Sequence, residues 1–261
     1  MARGEALIGR EIGSYRVLSL LGSGGMGAVY LAEHRAIGHK AAIKVLLREL
    51  ASDPEAAQRF FNEARAVNLV KHPCIVQIFD YGQAPDVGAY LVMEYLEGQS
   101  LGERLRTTGP LPAQVVVRLL YRVCAALGAA HKSGLIHRDL KPDNIFLVPD
   151  AENPGDWRVK VLDFGIAKLL HVSSTGVKTQ TGTMVGTPQY MAPEYVHGGK
   201  AFDHRIDIYS LGIIAFEALC GVTPFRGEGF GQILLAHMTE PPPSMRSLNP
   251  AVPAALEAVV G

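Results

Sequence analysis

The sequence predicts a bilobal α+β fold in which a small β-rich lobe carrying one helix precedes a larger α-rich lobe, and three observations predict it. Up to about Tyr95 the chain runs in short segments rich in β-branched and aromatic residues, separated by turn residues. One stretch among them, opening near Ser52, carries the signals of a helix. Beyond Gly98, apolar residues recur at three- and four-residue intervals instead.

In chain order, strands are predicted at 15–21, 28–34, 40–46, 75–81 and 89–94. The interrupting helix opens at Ser52-Asp53-Pro54-Glu55, where Ser or Asp can cap, Pro suits the first turn and Glu favours the positive end, and it runs to about Val70. In the second lobe Val116, Leu119, Leu120, Val123, Leu127 and Ala130 mark a helix that stops at Lys132-Ser133-Gly134. Short strands at 145–148 and 159–162 follow, joined by a turn-rich connection over 149–157, and another helix covers about 207–220. Residues 1–14 are set apart as an N-terminal extension, 15–97 as the first lobe with its hinge, and 98–261 as the second lobe.

Of 261 residues, 48% are hydrophobic and 19% charged, a well-cored composition that excludes disorder for most of the chain. Lys+Arg 25 balances Asp+Glu 25, so no net field recruits nucleic acid or an anionic membrane surface. Any bound phosphate must then be held by local geometry. Cys74, Cys124 and Cys220 form no C-x-x-C pair, which fits a reduced, cytoplasmic compartment. The start carries no apolar core of signal-peptide length, and the longest apolar run, 208–222, is broken by Glu217 and too short to span a bilayer.

The first chemical signal is Gly22-Ser23-Gly24-Gly25-Met26-Gly27, where missing side chains let backbone N–H groups approach a phosphate. By itself the run reads equally as a glycine-rich hairpin turn. A dinucleotide site would need a helix next, but Ala28-Val29-Tyr30-Leu31-Ala32 reads as a strand, and the G-x-x-x-x-G-K-[ST] loop is absent. Lys44 follows in the apolar strand Ala42-Ile43-Lys44-Val45 and needs a partner unless it snorkels from an edge. Glu63, on the helix whose apolar face is Phe60, Phe61, Ala64 and Val67, is the candidate partner.

The decisive stretch is His137-Arg138-Asp139-Leu140-Lys141-Pro142-Asp143-Asn144, followed by Asp163-Phe164-Gly165 and Ala192-Pro193-Glu194. With the glycine run and Lys44, these motifs make the chain resemble the protein kinase family in order and spacing from Gly22 to Glu194. Arg59 to Ala64, the hinge Met93-Glu94-Tyr95 and Gly186 to Glu194 are most similar to the bacterial, eukaryotic-type serine/threonine kinases.

The resemblance implies an enzyme that transfers the γ-phosphoryl group of ATP, with Mg²⁺, to Ser or Thr hydroxyls of protein substrates. Such chemistry asks for positioned cations and donors around anionic oxygens. Gly22, Ser23, Gly24, Gly25, Met26 and Gly27 would cover the phosphates, and Lys44, held by Glu63, would grip the α- and β-phosphates. Asn144 and Asp163 would supply oxygen ligands to Mg²⁺. Asp139 would orient the substrate hydroxyl, and Lys141 would neutralise the moving phosphate. Leu21, Val29, Ala42 and Phe146 would sandwich the adenine, with Met93 behind it and the backbone of Glu94 and Leu96 along its edge. The Lys141 form of the catalytic motif implies serine/threonine specificity. Thr179 and Thr181 match positions of activating autophosphorylation, with Arg138 placed to receive the phosphate, and a homodimer would allow one copy to modify another.

Three departures qualify the resemblance. The connection between Asn144 and Asp163 is longer than the family's, a change that a surface turn tolerates. The second lobe reads as lacking the family's final helices, whose arginine pairs with the Glu of Ala-Pro-Glu; no arginine follows Arg246, which predicts a Glu194 without that mate. The linker, membrane anchor or sensor domain that a longer family member carries is not visible in these residues. Two other readings share the fold: a pseudokinase scaffold that binds partners without efficient catalysis, and a small-molecule phosphotransferase, against which the Ala-Pro-Glu segment and the threonine-rich loop argue.

Overall fold

The computed structural model describes residues 6–25, 27–47, 54–153, 155–164, 187–196 and 202–261. The first lobe is a six-stranded antiparallel sheet. Its strands are Glu11–Ile12 (β1), Tyr15–Gly24 (β2), Gly27–His34 (β3), Lys40–Leu46 (β4), Ile78–Ala84 (β5) and Gly88–Glu94 (β6), in the order β1-β2-β3-β4-β6-β5. β1 lies within the stretch set apart as an extension, and it joins the sheet because Ile12 is fully buried beside Val17, Ile43 and Val92. β2 and β3 close on each other at Gly24 and Gly27. A Cβ on Gly27 would collide with the Val45 carbonyl, so only glycine lets β3 lie this close to β4.

Pro54–Leu69 (α1) covers the sheet and buries Phe60, Ala64 and Val67. Pro54 opens the helix as the sequence predicts; Ser52 and Asp53, read there as caps, lie outside the described residues. The strand expected at 75–81 starts only at Ile78. Its first residues turn instead to the second lobe, where Val161 N–H donates to Cys74 C=O at 2.7 Å and Val76 N–H to Val161 C=O at 3.1 Å. Local β propensity was correct there, but the partner strand is a distant one.

The second lobe begins with Gln99–Ser100 (β7) and Leu101–Thr108 (α2), whose Ser100 hydroxyl accepts from Glu103 N–H at 3.0 Å as an N-cap. Ala113–Lys132 (α3) is long and apolar enough to cross a membrane by length and composition alone. Its stripe of Val116, Leu119, Val123, Leu127 and Ala130 is buried against the rest of the lobe, as one face of an amphipathic helix is. Ile145–Pro149 (β8) and Trp157–Val161 (β9) form the expected hairpin and complete a three-stranded sheet with β7. The long connection is pinned by Arg122, whose Nη2 donates to Asp156 Oδ2 at 2.9 Å. Pro193–Val196 (α4), Arg205–Cys220 (α5), Phe230–Thr239 (α6), Met245–Leu248 (α7) and Ala254–Val260 (α8) follow.

One core runs through both lobes and brings Phe60 and Leu91 together with Leu127, Leu147, Phe164 and Ile214. Each such fully buried side chain stabilises by about 1.5–3 kcal/mol. Leu140, Ile145 and Phe164, within or next to the motifs, belong to this core.

Candidate active site

The segment 137–144 is anchored from below by a residue that the motifs do not include. Asp207, in the first turn of α5, is 1% exposed and accepts from His137 N–H at 2.8 Å, from Arg138 N–H at 2.9 Å and contacts His131 Nε2 at 2.7 Å. An acid in a helix that buries residues on every side needs such partners, and this was its only sequence signal. The two backbone bonds hold Arg138 at φ 64°, a left-handed conformation that side chains otherwise avoid.

His137 is wholly buried, and burial pushes its pKa down although Asp207 and the carbonyl of Leu162 pull the other way. The neutral ring then serves as a spacer: Nε2–H donates to Leu162 C=O at 2.9 Å and Nδ1 accepts from Asp139 N–H at 3.3 Å. Leu162 N–H in turn donates to Asn144 C=O at 2.9 Å, so the two motif segments are bolted together. Phe164 is buried against the His137 ring, with centroids 4.8 Å apart.

On this frame Lys141 Nζ reaches Asp139 Oδ2 at 3.1 Å. Asn144 Nδ2 donates to the Asp139 carbonyl at 2.8 Å, which leaves its amide oxygen as the donor that could face a cation. Asp163, at φ 50°, contacts Lys44 Nζ at 2.6 Å. Burial would raise its pKa, but the charge and hydrogen bond of Lys44, helped by His137 and Lys141, hold the carboxyl below its usual value. Among the described residues no group of three or more His, Cys, Asp or Glu could hold a metal. Asn144 and Asp163 alone still fit Mg²⁺, a hard cation that takes one or two protein oxygens and fills its shell with phosphate oxygens and water.

The expected pairing of Lys44 with Glu63 is not made in this structure. Lys44 takes Asp163, and both carboxylate oxygens of Glu63 are buried without a hydrogen-bond partner among the described residues. With Lys44 on Asp163, burial pushes the Glu63 pKa from 4.5 up to about 7, outweighing the pull of Arg138 and Lys44, while the contact with Lys44 offsets the burial of Asp163 and keeps it ionised. A group whose pKa is raised by folding holds its proton more tightly in the native state. Its stabilisation is complete below 4.5 and disappears as pH rises through about 7. At about 1.4 kcal/mol per pH unit, that amounts to about 3 kcal/mol. Glu63→Gln, which stays neutral, is expected to raise the urea unfolding midpoint above the parent at about pH 8.5 and to differ little at about pH 5. Coincident midpoints at both values would show that Glu63 does not titrate in this way.

In the first lobe, the β2–β3 hairpin carries the glycine run, with Met26 outside the described residues. A Cβ on Gly22, Gly24 or Gly25 would meet no atom within 4 Å, so these three glycines are not packing requirements of the hairpin. What their bareness leaves clear is the backbone's own outer face, as a phosphate cradle requires. Val29 and Lys44 are register partners, as are Ala42 and Met93. Leu21 and Val29 lie on the first lobe's hairpin, and Phe146 on β8 of the second lobe, so the expected roof and floor come from different lobes. At the hinge Glu94 ends β6, and Leu96 N–H makes no backbone hydrogen bond among the described residues.

A shallow pocket beside Asp139 is lined by Arg138, Lys141, Thr187, Tyr190 and Met191. The Tyr190 hydroxyl, driven well above its usual pKa by burial, donates to Glu217 Oε2 at 2.6 Å and fixes the pocket's wall. Glu194 is exposed and lies near enough to Arg205 to act on its charge, so the absence of the family's arginine does not leave a buried carboxylate alone. Thr179 and Thr181 lie outside the described residues.

The family model described as protein kinase domain matches residues 15–249. Serine/threonine-protein kinase Pkn1 of Myxococcus xanthus is 51% identical over 256 residues, which are 98% of this chain and 36% of that protein. Serine/threonine-protein kinase PrkC of Bacillus subtilis is 40% identical over 97% of this chain and 38% of its own length. The chain thus spans well under half of these two relatives. The crystal structure of the Mycobacterium tuberculosis PknI kinase domain superposes with a TM-score of 0.70 at 28% identity, covering 97% of this chain and 88% of that one. An alignment that begins at the first strand of the glycine hairpin and continues past α7, over a site whose catalytic and metal-type side chains converge as described, places this chain in the protein kinase family.

Proposed function

We propose that this chain is the catalytic domain of an ATP-dependent serine/threonine protein kinase, acting with Mg²⁺ on protein hydroxyls. The observation that carries the reading is the linked set of contacts in which Lys44 meets Asp163, Lys141 and Asn144 meet Asp139, and Lys141 lies near enough to Asp163 to act on its charge. Asp139 orients and accepts the proton of the substrate hydroxyl in the pocket shared with Thr187, and Lys141 neutralises charge on the moving phosphoryl group. The glycine hairpin and Lys44 hold the phosphates of ATP, and Leu21, Val29, Ala42, Met93 and Phe146 enclose its base. Mg²⁺, bound by Asn144 and Asp163, would neutralise phosphate charge. Nothing observed favours a partner-binding scaffold without catalysis, since each of these side chains is present.

With Lys44 on Asp163 and Glu63 buried without a hydrogen-bond partner among the described residues, the arrangement is a resting one. Transfer of Lys44 to Glu63 would release Asp163 toward the metal. Phosphorylation of Thr179 and Thr181, in a second copy of the chain, would drive the change by adding about −1.5 to −2 charge each, with Arg138 as the receiving cation. Incubation of purified chain with Mg²⁺-ATP, followed by mass spectrometry, is expected to find phosphate on these threonines. The Thr179→Ala, Thr181→Ala double variant should phosphorylate an exogenous protein about tenfold or more slowly than the phosphorylated parent. Full activity in the double variant would remove the switch, and absence of any transfer from ATP by the parent would remove the kinase reading.

A further inference from the structure

Glu94 is engaged on three sides. Its N–H donates to Gln77 C=O at 3.0 Å, and its Oε1 accepts from Gln77 N–H at 2.7 Å and from Lys160 Nζ at 2.6 Å. The Lys160 and Glu94 side chains are only 16% and 19% exposed. Lys160 stands on β9 between Val159 and Val161, which are buried on the opposite face of the strand. Its register partner on β8 is Phe146, so the two side chains leave the hairpin on one face. Lys160 therefore reaches from the second lobe to the last residue of β6, beside both the proposed floor of the base site and the backbone that would meet the base.

We propose that the Lys160–Glu94 ion pair is a positioning bracket between the lobes, which sets the backbone of Glu94 and Leu96 over Phe146 and so determines affinity for adenine nucleotides and their preference over guanine nucleotides. This rests on the nucleotide-binding reading above. The physical reason is the directionality of the hinge groups. A carbonyl at Glu94 and an N–H at Leu96 match an edge that presents an amino donor beside a ring-nitrogen acceptor, as adenine does. Guanine presents the inverse pattern, a carbonyl beside a ring N–H. Discrimination by such groups depends on their being held in place, because the wrong base is rejected only where a buried donor or acceptor is left unmatched. A hinge released from Lys160 loses that fixity, while Asp139 and Lys141 keep their anchorage to Asp207 through the segment 137–144. The loss belongs to ground-state binding of nucleotide and not to the transfer step.

The test uses the full chain with ADP and Mg²⁺ in equilibrium titration, together with steady-state transfer from ATP and from GTP. Lys160→Met is expected to weaken ADP binding and raise KM for ATP about tenfold, and to lower the ATP-over-GTP preference by a similar factor, with kcat within about twofold of the parent. Lys160→Arg should restore most of both. Glu94→Gln, which keeps an acceptor for Gln77 N–H and removes only the charge, should reproduce Lys160→Met, and the double variant should be no worse than either, as members of one pair require. Glu94→Gln also carries the test should Lys160→Met fail to fold. Parent-like ADP affinity in these variants, or weakened binding with an unchanged purine preference, or a fall in kcat at constant KM, would overturn the bracket. A parent that binds no nucleotide would overturn the kinase reading instead.

Discussion

Asp139→Asn is expected to reduce phosphoryl transfer by about two to four orders of magnitude, the contribution of a positioned general base. The substitution is isosteric, and it leaves untouched the bonds that Asp139 makes through its backbone: its carbonyl to Asn144 Nδ2 and its N–H to His137 Nδ1. The frame should therefore survive, with an unfolding midpoint close to the parent's and nucleotide affinity little changed. What goes is the acceptor for the substrate proton and the countercharge for Lys141, 3.1 Å away. Single-turnover transfer to a protein substrate with saturating Mg²⁺-ATP is the measurement. Turnover within about tenfold of the parent would remove Asp139 from the role of base.

Asp207→Ala should be the most destabilising single substitution in the second lobe. It leaves the N–H groups of His137 and Arg138 buried without their acceptor, and it strips His131 of its contact. Breaking a buried charged network of this kind costs about 3–5 kcal/mol, against about 5–15 kcal/mol for the stability of a whole domain. Arg138 would also lose what holds it at φ 64°. Urea denaturation should show a large drop in midpoint, with activity lost beyond the loss of folded protein because the segment carrying Asp139 is no longer held. Asp207→Asn, which keeps one acceptor, should fall between parent and alanine. An alanine variant that unfolds with the parent's midpoint would show that α5 does not anchor the catalytic segment.

The parts of the fold that depend on neighbouring residues were legible without coordinates. The α1 helix announced itself by Pro54 and by the spacing of Phe60, Ala64 and Val67, and α3 by its apolar stripe. β4 and the β8–β9 hairpin followed from β-branched residues bounded by turns. Elements whose reason lies elsewhere in the chain were not legible. β1 exists because Ile12 finds a buried place beside Val17, and the strand expected from residue 75 begins at Ile78 because residues 74–76 pair with Val161.

For the site, the order of residues already shows which side chains are available. Asp139, Lys141, Asn144, Asp163, Lys44 and Glu63 stand in the order and spacing by which the chain resembles the protein kinase family, and the roles proposed for them rest on that resemblance. How they are paired follows from the folded arrangement of distant segments. Spacing can place Lys44 and Glu63 in facing elements, but the distance from Lys44 to each carboxylate is set by how the two lobes pack. That packing puts Lys44 on Asp163 and leaves Glu63 buried with its pKa raised. The same holds for Asp207 and Lys160, ordinary charges in the sequence whose roles come from burial beside distant backbone and side-chain groups. Pairing strength between charges depends on the local dielectric and on distance, and both belong to the folded chain.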